Sequence, residues 1–310
     1  MSIKLLTSPG TFNCFYFSGA TLAPDFKNFH ISLENNLWLT NKFPFVFSEH
    51  WRYWLGANAT LHIEEANLVI YLLPQAAQNK NWEQYSKNVL HRWFLATTFL
   101  GVVGYFEANW FCNEKGISTI GELEKYNHIY GEAPLFLDTQ KVKKVNEIYK
   151  SLTFIFGSSE YQRLKRGLNA YWKALREKDN YYRLPNLVKS LEALILPETG
   201  KTKEQFKERV GCFLKSAQGH IQKLEDIYQL RSRVEHLHDW IDRFPDLSRD
   251  ESAQKINHLC RIAEAIARNV YLKILLEPRF IKVFDNDKSI VSFWDNIPSW
   301  LPSVDITSIK

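Results

Sequence analysis

The chain has 310 residues, with 39 Lys and Arg against 34 Asp and Glu, a formal net charge of +5, and 45% hydrophobic and 15% aromatic content. So much apolar material with only 13 Gly and 11 Pro excludes disordered, collagen-like and disulfide-scaffold classes, and the length suits two domains. The mild basic excess permits contact with nucleic acid or an anionic surface without requiring either.

Up to about Gln75 the sequence runs in short bursts rich in β-branched and aromatic residues. Phe29 to Asn41 (FHISLENNLWLTN) reads as strand, and Thr60 to Pro74 (TLHIEEANLVIYLLP) as a pair of strands, with a helical turn at Glu49 to Gly56 (EHWRYWLG) between them. The aromatics Trp51, Tyr53 and Trp54 are expected in the core of this region. From Trp82 to about Phe106 turn residues become rare, which predicts one long buried helix. Within it begins a stretch of membrane-spanning length, Trp93 to Phe111. Two Gly, two Thr, Glu107 and Asn109 interrupt it, so a core helix is expected rather than a span, and no membrane partner. Gly116, Gly121, Gly131 and Pro134 then mark a loop between the halves.

After Asp138 the pattern becomes helical. Val142, Val145, Ile148, Tyr149 and Leu152 recur at helical spacing, as do Tyr161, Leu164, Leu168, Tyr171, Trp172 and Leu175. Further helices are predicted over Leu187 to Leu196, Lys203 to Leu214, Ile221 to about Ile241, Ser252 to Leu276, and around Phe293, with connections short enough for a bundle. The expected architecture is an α+β N-terminal domain, residues 1–138, followed by an all-α bundle, residues 139–310. A sensory or regulatory task suits the first.

Cys14, Cys112, Cys212 and Cys260 are scattered, with no CxxC pair, and suit reduced thiols in a cytoplasmic protein. The N-terminus lacks the apolar region of a secretory leader. His258, Cys260 and Glu264 on one helix lack further ligands nearby, so no metal and no cofactor is expected. The phosphate-loop, dinucleotide, zincin and nucleophile-elbow motifs are missing from the sequence.

One window stands apart. Ile227 to Trp240 (IYQLRSRVEHLHDW) carries Arg231, Arg233, Glu235, His236, His238 and Asp239 within nine residues. On a straight helix Arg231 and His238 fall within about 20° of each other, close to the apolar stripe of Leu224, Ile227, Val234 and Ile241. His236 lies about 140° from Arg231 unless the helix ends or distorts before it. Three Arg–His pairings satisfy a four-to-six-residue gap: Arg231 with His236, Arg231 with His238, and Arg233 with His238. A solvated charged face is the plain alternative, and Glu192 and Glu198 have no partner recognisable in the sequence.

Leu230 to His236 (LRSRVEH) resembles the R-x4–6-H motif of HEPN domains, the helical family of higher-eukaryote and prokaryote nucleotide-binding proteins, in the form used by its Apea-like branch. Leu187 to Gly200 (LVKSLEALILPETG), Lys203 to Leu214 (KEQFKERVGCFL) and Phe284 to Trp294 (FDNDKSIVSFW) are similar to neighbouring segments of that branch. Ser232 stands where the family most often has Asn, Asp or His, and Leu237 where Gly often follows the histidine. The resemblance spans roughly 140–300. It implies a metal-independent endoribonuclease with Arg231 and His236 as the catalytic pair, and Ser232, Arg233 and His238 as supporting or alternative residues. It further implies RNA as partner, a homodimer joined through the motif helix, and a role as a phage-defence or toxin effector. A non-catalytic HEPN-type module binding RNA, nucleotide or protein is the alternative. Arg163, Lys165, Arg166, Lys173 and Arg176 on one predicted helix would offer charge to RNA.

Overall fold

The computed structural model describes residues 12–18, 29–33, 37–41, 47, 49–65, 68–72, 82–101, 105–106, 110–113, 116–120, 137–215, 220–299, 301 and 303. Contacts divide the chain into two compact units, Met1–His128 with Glu132–Tyr149 and Ile129–Gly131 with Lys150–Lys310. Gly121, Gly131 and Pro134 lie outside the described residues.

The first unit is built on an antiparallel sheet. Its strands are β1 (Phe12–Ser18), β2 (His30–Ser32), β3 (Leu37–Thr40), β4 (Leu68–Leu72), β5 (Tyr105–Phe106), β6 (Trp110–Asn113) and β7 (Gly116–Ile120). The order is β2-β3-β4-β1-β6-β7, with β5 paired to the end of β1. β4 reads LVIYL and is buried at every position, as a continuous apolar run requires of a strand covered on both faces. Cys14 pairs with Tyr71 and Trp110 on either side, fixing β1 between β4 and β6. At the β2–β3 edge His30 stacks on Trp38, and its Nε2 lies 2.6 Å from the Tyr71 hydroxyl.

Among the described residues two helices accompany the sheet. α1 (Glu49–Glu64) runs through the expected helical turn and on through Thr60–Glu64, where the sequence suggested a strand. α1 takes in Thr60–Glu64 against the local β preference of Thr60 and Ile63. It kinks at Gly56, whose φ of 75° and ψ of 160° suit a residue without a Cβ. Tyr53 is 84% and Trp54 68% exposed, so these two are surface residues and not core; the side chain of Trp51 lies outside the description. α2 (Trp82–Phe99) packs on β1 and β4 and ends seven residues earlier than expected, as the chain turns through Gly101 at φ 69° and continues into β5 and β6. Trp93–Phe111 is therefore helix followed by strands. Thr97 and Thr98 are buried, with hydroxyls donating to the carbonyls of Phe94 and Leu95, which removes the cost of burying them. Among the described residues no helix is long and apolar enough to cross a membrane.

The second unit is helical. α3 (Thr139–Gly157) spans the division and is followed by α4 (Gln162–Arg176), α5 (Asn180–Ile195), α6 (Thr202–Cys212), α7 (Ile221–Glu235), α8 (Arg249–Leu276), α9 (Pro278–Val283) and α10 (Asp287–Asp295). α5 is the hub, packing on α4, α6, α7, α8 and α10 through Leu184, Leu187, Leu191 and Leu194, each no more than 1% exposed. It begins seven residues before the predicted start, capped by Asp179, whose carboxylate accepts from the Tyr181 amide. Its C-terminal carbonyls, Ile195 and Leu196, accept from the Arg209 guanidinium of α6 at 2.7 and 3.0 Å, a cation at the negative helix end. α4 approaches α5 closely at Gly167: a Cβ there would stand 2.8 Å from the Ala193 Cβ and 2.1 Å from the Tyr271 hydroxyl, which donates to the Ser190 carbonyl. α8 starts from a reciprocal cap between Ser248 and Glu251.

Candidate functional site

The site lies where α7 stops. Leu224, Ile227, Leu230 and Val234 are buried, which holds α7 against α5, α6 and α8 and brings Arg231 to a half-buried position. The apolar periodicity runs on to Ile241, yet the helix ends at Glu235 rather than near Ile241. His236 is the capping residue. The Leu237 amide donates to the Val234 carbonyl at 3.1 Å and the His238 amide to the Arg233 carbonyl at 2.9 Å, while Leu237 takes φ 58°. This pair of bonds closed by a left-handed residue is a Schellman cap. Its left-handed position normally belongs to Gly, which gives a physical meaning to the glycine often found after the histidine in the resembling family.

Because the helix ends, projection at 100° per residue no longer applies beyond Glu235, and Arg231 and His238 are not placed on one helical face by it. The cap instead brings the two imidazoles together: the rings of His236 and His238 lie 6.4 Å apart between centroids, tilted by 47°, and both residues are exposed. Arg233 serves the following turn. Its Nη1 donates to the Asp239 carbonyl at 3.1 Å and its Nη2 to that of Asp242 at 3.5 Å, tying the end of α7 to the short 3-10 helix Ile241–Arg243. Ser232 is half-buried; its carbonyl accepts from the His236 amide.

Arg231 is held by two carboxylates. Nη2 lies 3.2 Å from Glu192 Oε2 on α5, and Nη1 lies 2.7 Å from Glu235 Oε2 one helical turn on. The guanidinium also sits over the Tyr228 ring, 5.7 Å from its centroid. Among the described residues its Nε and Glu192 Oε1 are both buried without a hydrogen-bond partner. Burial is the largest influence on the Glu192 carboxyl and raises its pKa above the ordinary value; Arg231 and Lys189 oppose that shift and Glu235 adds to it. Lys189 reaches the other oxygen of Glu235 at 3.1 Å. The result is a row of alternating charge, Glu192, Arg231, Glu235, Lys189, in which Glu235 directly precedes the exposed His236 in the chain. Among the described residues no hydrogen bond joins Arg231 to His236.

Glu192 is the residue that the sequence left without a partner. It is 39 positions from Arg231, and only the packing of α5 on α7 joins them. Glu198 pairs with Lys201 and Gln205 at the start of α6, away from this row. On α8, Glu264 is buried with Arg183 4.0 Å away, and burial pushes the Cys260 thiol up to about 12. Among the described residues no group of three His, Cys, Asp or Glu side chains is placed to hold a metal. Of the basic residues on α4, Arg163 pairs with Asp287, and Lys165 donates to the Ser158 carbonyl. Arg166, Lys173 and Arg176 line an open cleft with α5.

Compared with protein-family models, curated proteins and solved structures, the chain gives no match.

Proposed function

We propose that the protein is a metal-independent endoribonuclease of the HEPN type, with Arg231 and His236 as its catalytic pair. The observation that carries this reading is the cap at the end of α7: it sets an arginine with a fixed guanidinium one turn before two exposed histidines. The LRSRVEH resemblance supplies the chemistry. In the reaction the RNA 2′-oxygen attacks the adjacent phosphorus and the P–O5′ bond breaks, leaving a 2′,3′-cyclic phosphate and a 5′-hydroxyl. A neutral imidazole takes the 2′-hydroxyl proton, an imidazolium gives a proton to the departing O5′, and a guanidinium stabilises charge growing on the phosphorane. Histidine suits both proton roles because its ordinary pKa of about 6.5 lies near neutrality.

One Arg–His pair provides one proton-transfer group. His238 beside His236 offers a second within the chain, and a two-fold dimer through the motif helix, which the family resemblance implies, offers another. A role as a phage-defence or toxin effector follows from the same resemblance. The rival reading is a non-catalytic binding module, favoured by the engagement of Arg231 with two carboxylates, which is how a structural arginine is held. Expression in a bacterial host separates them. Growth arrest relieved by His236→Ala supports the nuclease, whereas RNA binding with no cleavage at matched concentrations supports the module.

A further inference from the structure

The helical unit carries a second feature that the motif does not explain. α4 and α5 enclose an open cleft of about 510 Å³, lined by Arg166, Trp172, Lys173 and Arg176 from one wall and Asn186 and Lys189 from the other. Asn169 and Ala170 complete the lining, so four of its eight residues are cationic and none is acidic. The three α4 cations recur at intervals of seven and three residues, about 10 and 5 Å along the helix axis, which sets them in one row. Arg166, Lys173, Arg176 and Lys189 are exposed, and Trp172 is half-buried. Arg166 and Lys173 form no ion pair among the described residues. A cleft of this size lies within the range that accepts a small ligand or a segment of a polymer.

We infer that this cleft binds a single strand of RNA, with the phosphates along the cation row and a base against the Trp172 indole. Four cations and no carboxylate in the lining, with Arg166 and Lys173 outside any ion pair among the described residues, match a polymer of regularly spaced anions. An indole at its edge offers what single-strand readers use, a stacking face for an unpaired base. The asparagines add amide donors and acceptors that suit base or sugar edges. The cleft also leads toward the motif: Lys189 lines it and bonds Glu235, whose other oxygen holds Arg231. The choice of RNA over other polyanions rests on the ribonuclease reading, whereas the anionic, single-stranded character of the ligand rests on the cleft alone.

The test uses fluorescence anisotropy of a labelled 20-nucleotide single-stranded RNA with the full chain carrying His236→Ala, so that no cleavage intervenes. Four neutralised phosphates predict a slope of log affinity against log salt of about −3, at about 0.7 per contact. Adding Arg166→Glu and Lys173→Glu, both exposed, is expected to weaken binding tenfold or more at about 0.1 M salt and to at least halve that slope. Unchanged affinity and slope overturn the assignment, as does equal affinity for duplex RNA or for poly-glutamate of the same charge. Cleavage by the charge-reversed chain with His236 intact and with RNA affinity unaltered overturns the cleft and leaves the nuclease standing. Cleft-dependent binding with no cleavage by the unaltered chain supports the cleft and removes the nuclease.

Discussion

Leu237→Gly tests the turn on which the placement of both histidines depends. Leu237 occupies the left-handed region at φ 58° and is 86% exposed, so its side chain gains almost nothing from burial while its Cβ is strained. A left-handed residue other than Gly costs about 1–2 kcal/mol, and Gly returns about 0.5–1 kcal/mol of that through the entropy of the unfolded chain. The substitution should therefore stabilise the helical unit by about 0.5–1 kcal/mol. With a urea m-value of about 2 kcal/mol/M, the midpoint rises by about 0.3–0.5 M. Leu237→Ala keeps the Cβ and should move the midpoint little. Urea titration followed by far-ultraviolet circular dichroism reads both. If Leu237→Gly leaves the midpoint unchanged or lowers it, α7 does not end in this cap and the pairing of His236 with His238 fails with it.

Three other outcomes follow from the same geometry. Arg231→Ala removes the cation between two carboxylates, one of them largely buried, and should cost about 1–3 kcal/mol, whereas exposed His236→Ala should cost under about 0.5 kcal/mol. A double-mutant cycle with Glu192→Gln should recover much of the Arg231→Ala loss, and strict additivity would refute the pairing. For Glu192 the folded pKa is raised by burial above its unfolded value of about 4.3, so its contribution to stability is present below that pH and is lost as pH rises through the higher folded value. Glu192→Gln should accordingly gain on the unaltered protein as pH rises through that window, and parallel stability curves would exclude the shift. Gly167→Ala should destabilise by about 1–3 kcal/mol despite the better helix propensity of Ala, since the added Cβ collides with Ala193 and displaces the Tyr271 hydroxyl from Ser190; a thermal melt that rises instead would contradict the close approach of α4 to α5.

The helical half was legible where local signals and tertiary packing agree. Ser248 and Glu251 form a capping box and Pro278 follows Leu276, so α8 is marked at both ends before any packing is considered. α7 was harder to delimit because its apolar spacing continues to Ile241 and its left-handed stop is a Leu, which carries none of the usual signal of a Gly. The sequence places the start of α5 too late because Pro185 lies near its start and the Asp179 cap precedes that proline by six residues. In the sheet region the β-branched Thr60 and Ile63 suggest a strand, yet Thr60–Glu64 lies in the part of α1 that follows the break at Gly56. The density of Arg and His around residue 231 could be read directly. The clamp of Glu192 on Arg231 and the cleft between α4 and α5 could not, because each exists only through the packing of α5 on its neighbours.

Incubating the purified chain with single-stranded RNA in excess EDTA and identifying the new ends tests the central claim most directly. The account predicts 2′,3′-cyclic phosphate and 5′-hydroxyl ends, lost in His236→Ala and in Arg231→Ala chains that remain folded. Intact RNA, or cleavage that appears only on adding Mg²⁺ and persists in His236→Ala, would contradict it.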